Sequence, residues 1–169
     1  MTIKDESGVV PDGYSRIDPW VISQDTGAEI DFLSRVFGAE ERGSRILHED
    51  GSVAHAEVEV AGAVVMMFDR QPGWPSLPSH LRIYVEDARE AVDRALAEGA
   101  RLVTRPTELA FGDVAARIRD PQGHLWWVFQ RLEMLASEEM GRRFADPSYQ
   151  EAMAYVQKSL AEELGSATP

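Results

Sequence analysis

The apolar and polar residues of this chain repeat with two periods, and these periods predict the same series of elements twice. Alternation over residues 16–23 predicts a first strand, and apolar residues at helical spacing over 28–37 predict a helix that ends at Gly38. Strands over 42–47, 53–60 and 63–68 follow. The second series has a strand over 81–85, a helix from Asp87 to about residue 98, and strands near 101–103, 114–119 and 125–130. The order strand, helix, strand, strand, strand is therefore predicted twice.

The stretch over residues 120–131, DPQGHLWWVFQR, has a counterpart earlier in the chain. It opens with an Asp-Pro-x-Gly turn signal and continues as a run of large apolar residues, which is typical of a buried strand. An offset of 61 residues relates Gly62 to Gly123, and an offset of 62 relates Asp25 to Asp87. Matches in the same order along two halves indicate a tandem duplication.

The predicted organisation has five parts. They are a disordered lead over residues 1–13, a first βαβββ module over 14–70, a Pro-rich linker over 71–79, a second βαβββ module over 80–131 and a helical C-terminal extension over 132–169. Within the extension, residues 132–143 are predicted to be helical, and Asp146-Pro147 signals the start of a further helix. One face of that last helix carries Tyr149, Met153, Val156, Leu160 and Leu164, which predicts packing on the parent domain or on a dimer partner.

Composition narrows the function classes. The formal net charge of −12 argues against nucleic acid as a partner, because a polyanion is repelled. No apolar run reaches the ~18 residues that a membrane span needs, and the N-terminal residues lack the apolar stretch of a signal peptide. The chain has no cysteine, which excludes disulfides and thiolate chemistry. We expect a soluble, cytoplasmic protein with no membrane partner.

Two βαβββ units joined by a short linker resemble the vicinal oxygen chelate superfamily, also called the glyoxalase/bleomycin-resistance/dioxygenase family. The resemblance covers about residues 14–131 and is carried by residues 21–25, 30–40, 55–62, 80–87, 99–100 and 119–126. It implies an α+β fold in which the two tandem modules form a curved mixed-sheet, barrel-like cavity. It does not imply one activity, because the family contains lyases, isomerases, dioxygenases, thiol transferases and drug-binding proteins.

The resemblance also implies four metal-ligand positions, one on the first strand and one on the last strand of each half. In this sequence they are Asp18, Met66, His80 and Trp127. Divalent cations prefer oxygen and imidazole ligands, so a thioether and an indole at two of the four positions argue against a metal cofactor and against a metalloenzyme. If the chain is instead an enzyme, the candidate ligands of its divalent metal are His80, Asp18, His55 and Glu57.

Side chains two residues apart on a strand share a face, so these four positions predict the lining of the cavity. The predicted ligand-binding residues are Asp18, Trp20, Met66, Phe68, His80, Arg82, Tyr84, Trp127 and Phe129, and Arg16 lies on the same predicted face. Phe68, Phe129 and Leu125 are equally consistent with core positions. Trp126 is predicted to point away from the cavity and to pack against a helix.

Two charged groups have competing interpretations. Arg82 on an apolar face needs a counterion: Asp18 or Glu86 makes it a structural ion pair, which we favour, and a ligand anion makes it functional. His55 shares one face of its strand with Glu57 and Glu59, a pattern that suits a metal ion but is more typical of a solvated face.

We predict a metal-free small-molecule-binding protein that holds an aromatic or hydrophobic ligand in the cavity, with antibiotic sequestration as a role. The alternative is a metal-dependent lyase, isomerase or dioxygenase of the same superfamily. A third hypothesis treats the helical tail as a partner-binding element. We expect a homodimer, and the sequence leaves open whether the modules pair within one chain or are swapped between two.

Overall fold

The computed structural model describes residues 8–165, which divide into two compact units with a boundary between Ser79 and His80. We call these units module 1 and module 2, and module 2 includes the C-terminal helices. Residues 1–7 and 166–169 lie outside the described range, so the predicted disordered lead is described only from residue 8 onward.

Module 1 contains one helix and a five-stranded mixed sheet. Its elements are β1 (Trp20–Ser23), α1 (Thr26–Phe37), β2 (Glu40–Glu41), β3 (Ile46–Leu47), β4 (Val53–Val60) and β5 (Ala63–Asp69). β1 pairs with β5 in parallel, β5 pairs with β4 in antiparallel fashion, and β2 and β3 both pair with β4.

Module 2 repeats this arrangement and adds two helices. Its elements are β6 (His80–Tyr84), α2 (Ala88–Ala97), β7 (Arg101–Glu108), β8 (Asp113–Arg119), β9 (Leu125–Arg131), α3 (Ser137–Ala145) and α4 (Pro147–Gly165). The strand order is β6-β9-β8-β7, with β6 and β9 parallel and the other pairs antiparallel. The predicted α+β class is therefore confirmed, with a mixed sheet in each module.

Equivalent residues begin and end the helices of the two modules. The Asp25 carboxylate accepts a hydrogen bond from a backbone N–H of the first turn of α1 at 2.9 Å, and Asp87 accepts two in α2 at 2.8 and 3.0 Å. Gly38 and Gly99 follow the helices with φ values of 69° and 91°, which an L residue with a side chain rarely adopts. The repeated caps and stops support the predicted duplication.

The helices α1 and α2 each cover one face of the sheet of their own module. In module 1 that face carries Val21, Val58 and Met67, which are fully buried, and in module 2 it carries Ile118 and Val128, which are also fully buried. Because successive strand residues alternate between faces, the remaining strand positions lie on the opposite side of each sheet. We call this side the distal face of the module.

Two strands of module 1 differ from the prediction. β1 begins at Trp20 and not at residue 16, because Pro19 has no N–H to donate to the ladder and can only offer its carbonyl, which accepts from Met66 N at 3.0 Å. In place of the predicted strand over 42–47 the module has β2 before that range and β3 at its end, and between them Gly43, with a φ of 71°, interrupts the extended backbone.

The beginning of the C-terminal extension also differs. Residues 132–136 are not helical, because the backbone N–H groups of Leu132 and Glu133 donate to the carbonyl of Gly112 at 2.9 and 3.3 Å and continue the line of β9. α4 begins directly after Asp146, as predicted, and the Asp146 carboxylate accepts from Ser148 N at 2.8 Å.

In residues 8–165 no helix combines the length and the apolar character needed to cross a bilayer. The cytoplasmic location and the homodimer stay predictions.

Candidate functional site

The distal face of module 1 places three side chains in one row across neighbouring strands. Trp20 of β1 is in register with Met66 of β5, and Met66 is in register with Glu57 of β4. Residues opposite each other on adjacent strands point to the same face. The row therefore joins an aromatic, a thioether and a carboxylate side chain.

Aromatic rings form a connected group around this row. The ring of Trp20 lies 5.4 Å from that of Phe68 and 5.7 Å from that of His55, and Phe68 lies 6.2 Å from Trp74, with the two Phe68 contacts edge-on. Trp20 and Trp74 are 48% and 46% exposed. A contiguous group of exposed aromatic surface, unlike single exposed apolar residues, is typical of a binding site.

A cavity of about 690 Å³ adjoins the row. Its walls include Met66 and Glu57 from the sheet, together with Tyr14, Arg16 and Asp18 and the backbone segment over residues 9–11 that precede β1. The volume lies within the range of about 300–1,000 Å³ that small-molecule sites usually have.

Glu57 is held by two hydrogen-bond partners at the wall of this cavity. The Tyr14 hydroxyl donates to Oε2 of Glu57 at 2.6 Å, and His55 Nε2 lies 3.0 Å from Oε1. The hydrogen bond from Tyr14, followed by the contact with His55, lowers the pKa of Glu57, and the same bond raises the pKa of Tyr14. Near neutral pH the cavity wall therefore carries an ionised carboxylate and a protonated phenol.

Asp18 and Arg16 lie in the segment before β1 and not on the strand that was predicted to present them. The Asp18 carboxylate accepts hydrogen bonds from the backbone N–H of Ser15 at 3.1 Å and from the Ser15 hydroxyl at 2.7 Å, which closes a turn. Both residues still line the cavity. They reach it through this turn and not through strand alternation.

The distal face of module 2 carries the other predicted site residues. His80, Arg82 and Tyr84 are exposed on β6, and Tyr84 is 42% exposed. Arg82 is in register with Trp127 of β9, and Trp127 is in register with Arg117 of β8. This row therefore has an arginine on each side of a half-buried indole.

Arg117 is the buried member of that row. It is 5% exposed, its guanidinium carbon lies 3.9 Å from the centre of the Trp127 ring, and Nη1 donates to Thr104 Oγ1 at 3.0 Å and to the Val156 carbonyl at 2.8 Å. Burial lowers the pKa of Arg117. Neither oxygen carries a full negative charge, so the guanidinium has hydrogen bonds without a counterion.

The helix α4 covers the β7–β8 side of the distal face in module 2. Phe129 is 8% exposed and packs with Leu109, Ala115 and Val156, the last of which belongs to α4. Phe129 therefore lies in the core of module 2, as does the fully buried Leu125, and its role in ligand binding stays a prediction. Phe68, which the sequence also left open as a ligand-binding or a core residue, is half-buried.

Two of the four positions that the resemblance gives as metal ligands do not suit a divalent cation here. Met66 offers only a thioether and Trp127 offers no lone pair, and the indole of Trp127 already lies against the Arg117 guanidinium. Asp18 is engaged by Ser15. Among residues 8–165 no three His, Asp or Glu side chains converge as a metal site would require, and this includes His55 with its partner Glu57.

Two residues of these sites were not predicted from the sequence. Arg117 alternates with apolar neighbours on β8 and faces Trp127, a placement that the hairpin register reveals once β8 and β9 are paired. Tyr14 precedes every strand, and no sequence pattern connects it to Glu57, which is 43 residues away.

Comparison with known proteins agrees with this fold. The chain belongs to the glyoxalase/bleomycin resistance protein/dioxygenase superfamily, whose family model matches residues 16–128. It is also 30% identical over 135 residues to an uncharacterized protein of Mycobacterium bovis, an alignment that covers 73% of this chain and 88% of the relative.

Two solved structures illustrate the structural similarity. TioX from Micromonospora sp. ML1 is 27% identical, with a TM-score of 0.55 over 69% of this chain and 99% of TioX. The genomically encoded fosfomycin resistance protein FosX from Listeria monocytogenes is 19% identical, with a TM-score of 0.55 over 75% of this chain and 97% of FosX. The similarity to FosX shows the fold alone.

Proposed function

We propose that this protein binds an aromatic or hydrophobic small molecule on the distal faces of its modules, without a metal ion. The observation that carries the proposal is the exposed aromatic group of module 1, Trp20, Phe68 and Trp74, beside a cavity of about 690 Å³. Stacked and edge-on aromatic contacts contribute about 0.5–1.5 kcal/mol per pair beyond area burial, so three adjacent rings suit a planar ligand.

The donor chemistry of the family's ligand positions supports the metal-free part of the proposal. A catalytic metal polarises substrate oxygens and needs several oxygen or nitrogen ligands, whereas Met66 and Trp127 offer neither. Sequestration of an antibiotic is one form that such binding takes. The alternative, a metal-dependent lyase, isomerase or dioxygenase, needs ligands that converge elsewhere.

Tryptophan fluorescence tests this function. The full chain is titrated with neutral planar amides of naphthalene and anthracene size, once after treatment with a chelator and once after loading with Zn²⁺ or Mn²⁺. We expect saturable quenching with the same Kd in both states, because the metal contributes no contact. Replacement of Trp20 by Ala is expected to weaken binding about tenfold, which corresponds to about 1.4 kcal/mol.

Trp20→Phe is the matched control, since it keeps an aromatic ring at the site, and Trp74 reports on binding in both variants. A Kd within about threefold of the parent is expected for Trp20→Phe, a difference of less than 1 kcal/mol. No saturable quenching by any of the amides would reject the proposal. Binding that appears only after metal loading would favour the enzyme alternative.

A further inference from the structure

The four arginines on β6, β8 and β9 of module 2 fall into two groups. Arg119 pairs with Glu163 and Arg131 pairs with Asp113 at 2.6 Å, so both are neutralised within the module. Arg82 and Arg117 have no carboxylate within 4.0 Å among the described residues of module 2. The favoured interpretation of Arg82 as an ion pair with Glu86 is therefore not supported within this module.

The two arginines of β6, β8 and β9 without a carboxylate partner occupy the same row. Arg82 and Arg117 lie on either side of Trp127, on β6 and β8. Water screens the charge of Arg117 little, because the residue is 5% exposed. Its Nε has no hydrogen-bond partner among residues 8–165. A buried cation with only neutral partners leaves the surface above it electropositive. This local sign is opposite to the net charge of −12 of the chain.

The exposed half of the row is suited to direct contact with an anion. Arg82 is exposed, and its guanidinium carbon lies 5.3 Å from the ring centre of Tyr84 and 5.7 Å from that of Phe129. These contacts with aromatic rings orient the guanidinium but use none of its N–H donors. A guanidinium presents its donors as a planar fork that matches a carboxylate.

We propose that the row formed by Arg82, Trp127 and Arg117 binds an aromatic carboxylate. The carboxylate contacts Arg82, the ring of the ligand lies against the half-buried Trp127 and the exposed Tyr84, and Arg117 adds attraction from beneath the indole without touching the ligand. This inference rests on the proposed function, since it specifies the charge of the ligand that module 2 accepts.

Three matched naphthalene compounds test the inference: 2-naphthoate, 2-naphthamide and 2-naphthylmethylammonium. Calorimetric titration of the full chain at low salt is expected to give a Kd for the naphthoate about tenfold lower than for the amide, since a charge-assisted hydrogen bond contributes more than a neutral one. The ammonium compound is expected to bind most weakly. The preference for the anion is expected to decrease in 0.5 M NaCl, which screens the exposed Arg82.

Charge-removing variants then identify the site. Arg82→Gln is expected to abolish the preference for naphthoate over naphthamide, and Arg117→Met is expected to reduce it several-fold. Arg89→Gln is the matched control, because it removes the same charge from α2, and it is expected to leave the preference unchanged. If Arg117→Met does not fold, the comparison of Arg82→Gln with Arg89→Gln decides alone.

The outcomes separate this inference from the proposed function. Equal affinities for naphthoate and naphthamide would overturn the anion site and leave aromatic binding intact. A preference that survives Arg82→Gln would likewise overturn it, since the anion then binds elsewhere. Failure of all three compounds to bind would reject the carboxylate site and the aromatic-binding function together.

Discussion

The two modules place opposite charges at equivalent positions of the same backbone arrangement. The row Trp20–Met66–Glu57 in module 1 corresponds to Arg82–Trp127–Arg117 in module 2, with offsets of 62, 61 and 60 residues. The outer strand carries an aromatic ring in one module and a cation in the other. The third strand carries a carboxylate in one and a guanidinium in the other. The two modules therefore share the strand pairing and differ in the side chains that face away from the helix.

The charged groups of the two rows are also stabilised by different means. Glu57 has a phenol and an imidazole as partners beside an open cavity, and its side chain is 18% exposed. Arg117 lies beneath α4, and residues 8–79 of module 1 contain no counterpart of this helix. Equivalent positions therefore differ most in whether a helix buries them. The same difference separates Phe68, which is half-buried, from its counterpart Phe129, which lies in the core.

Reversing the charge at the two equivalent positions gives the largest expected effect. Arg117→Glu places a carboxylate beside the Val156 carbonyl with no cation to balance it, and we expect a loss of about 3–5 kcal/mol in the free energy of unfolding. Glu57→Arg is expected to cost about 1 kcal/mol, because its position has access to solvent. Urea denaturation at neutral pH measures both. Equal costs would show that α4 does not distinguish the two rows.

The hydrogen bond from Tyr14 gives the next test, on module 1 alone. Tyr14→Phe removes the largest cause of the lowered pKa of Glu57, so that pKa is expected to rise toward its ordinary value of 4.5. A folded-state pKa below the unfolded value stabilises the fold above that value, and the stabilisation is lost as the pH falls. The variant is therefore expected to lose less stability on acidification. NMR titration of the carboxyl carbon measures the pKa directly.

His55→Gln is the companion variant, and it is expected to raise the pKa of Glu57 less than Tyr14→Phe does, because His55 is the second cause and not the first. A larger rise in His55→Gln would reverse the assignment of the partners. An unchanged pKa in both variants would mean that solvent, and not these two groups, stabilises the carboxylate.

The sequence predicted the repeated elements and the strand faces because both depend on short-range patterns. The caps Asp25 and Asp87 and the alternation around Met66 and Trp127 are visible within ten residues. The start of β1 was also predictable, since Pro19 excludes a longer ladder. The hydrogen bond from Tyr14 to Glu57 was not predictable, because the two residues are far apart in the chain. The burial of Phe129 against Val156 was not predictable for the same reason.

The helix α4 shows the same limit. Of the predicted apolar stripe, Val156 is buried and Met153 packs against the core as expected, but Ser159 is also buried and Leu164 is 44% exposed. The surface beneath α4 is partly polar, and Ser159 Oγ lies 2.8 Å from Thr104 Oγ1. The apolar pattern therefore identified Val156 but not Ser159, which docks through a hydrogen bond.

The turns that join the last two strands differ between the modules, and the smallest predicted effect arises there. β4 and β5 are separated by two residues, whereas the five residues 120–124 connect β8 to β9. This longer turn includes His124, which is 1% exposed. Burial lowers the pKa of His124, although the neighbouring Asp120 carboxylate acts in the opposite direction and Arg119 adds to the lowering. The folded protein therefore holds a neutral imidazole where the unfolded chain takes up a proton.

Stability is consequently expected to fall as the pH drops below about 6.5, where the unfolded imidazole begins to bind its proton and the folded one does not. One proton limits the slope to about 1.4 kcal/mol per pH unit. Urea denaturation at pH 7.5 and 5.5 is expected to show a smaller loss for His124→Gln than for the parent. His80→Gln, which removes an exposed imidazole from the same module, is expected to match the parent. If His124→Gln keeps the full pH dependence, the acid sensitivity arises outside this turn, and the difference between the two hairpins has no electrostatic consequence.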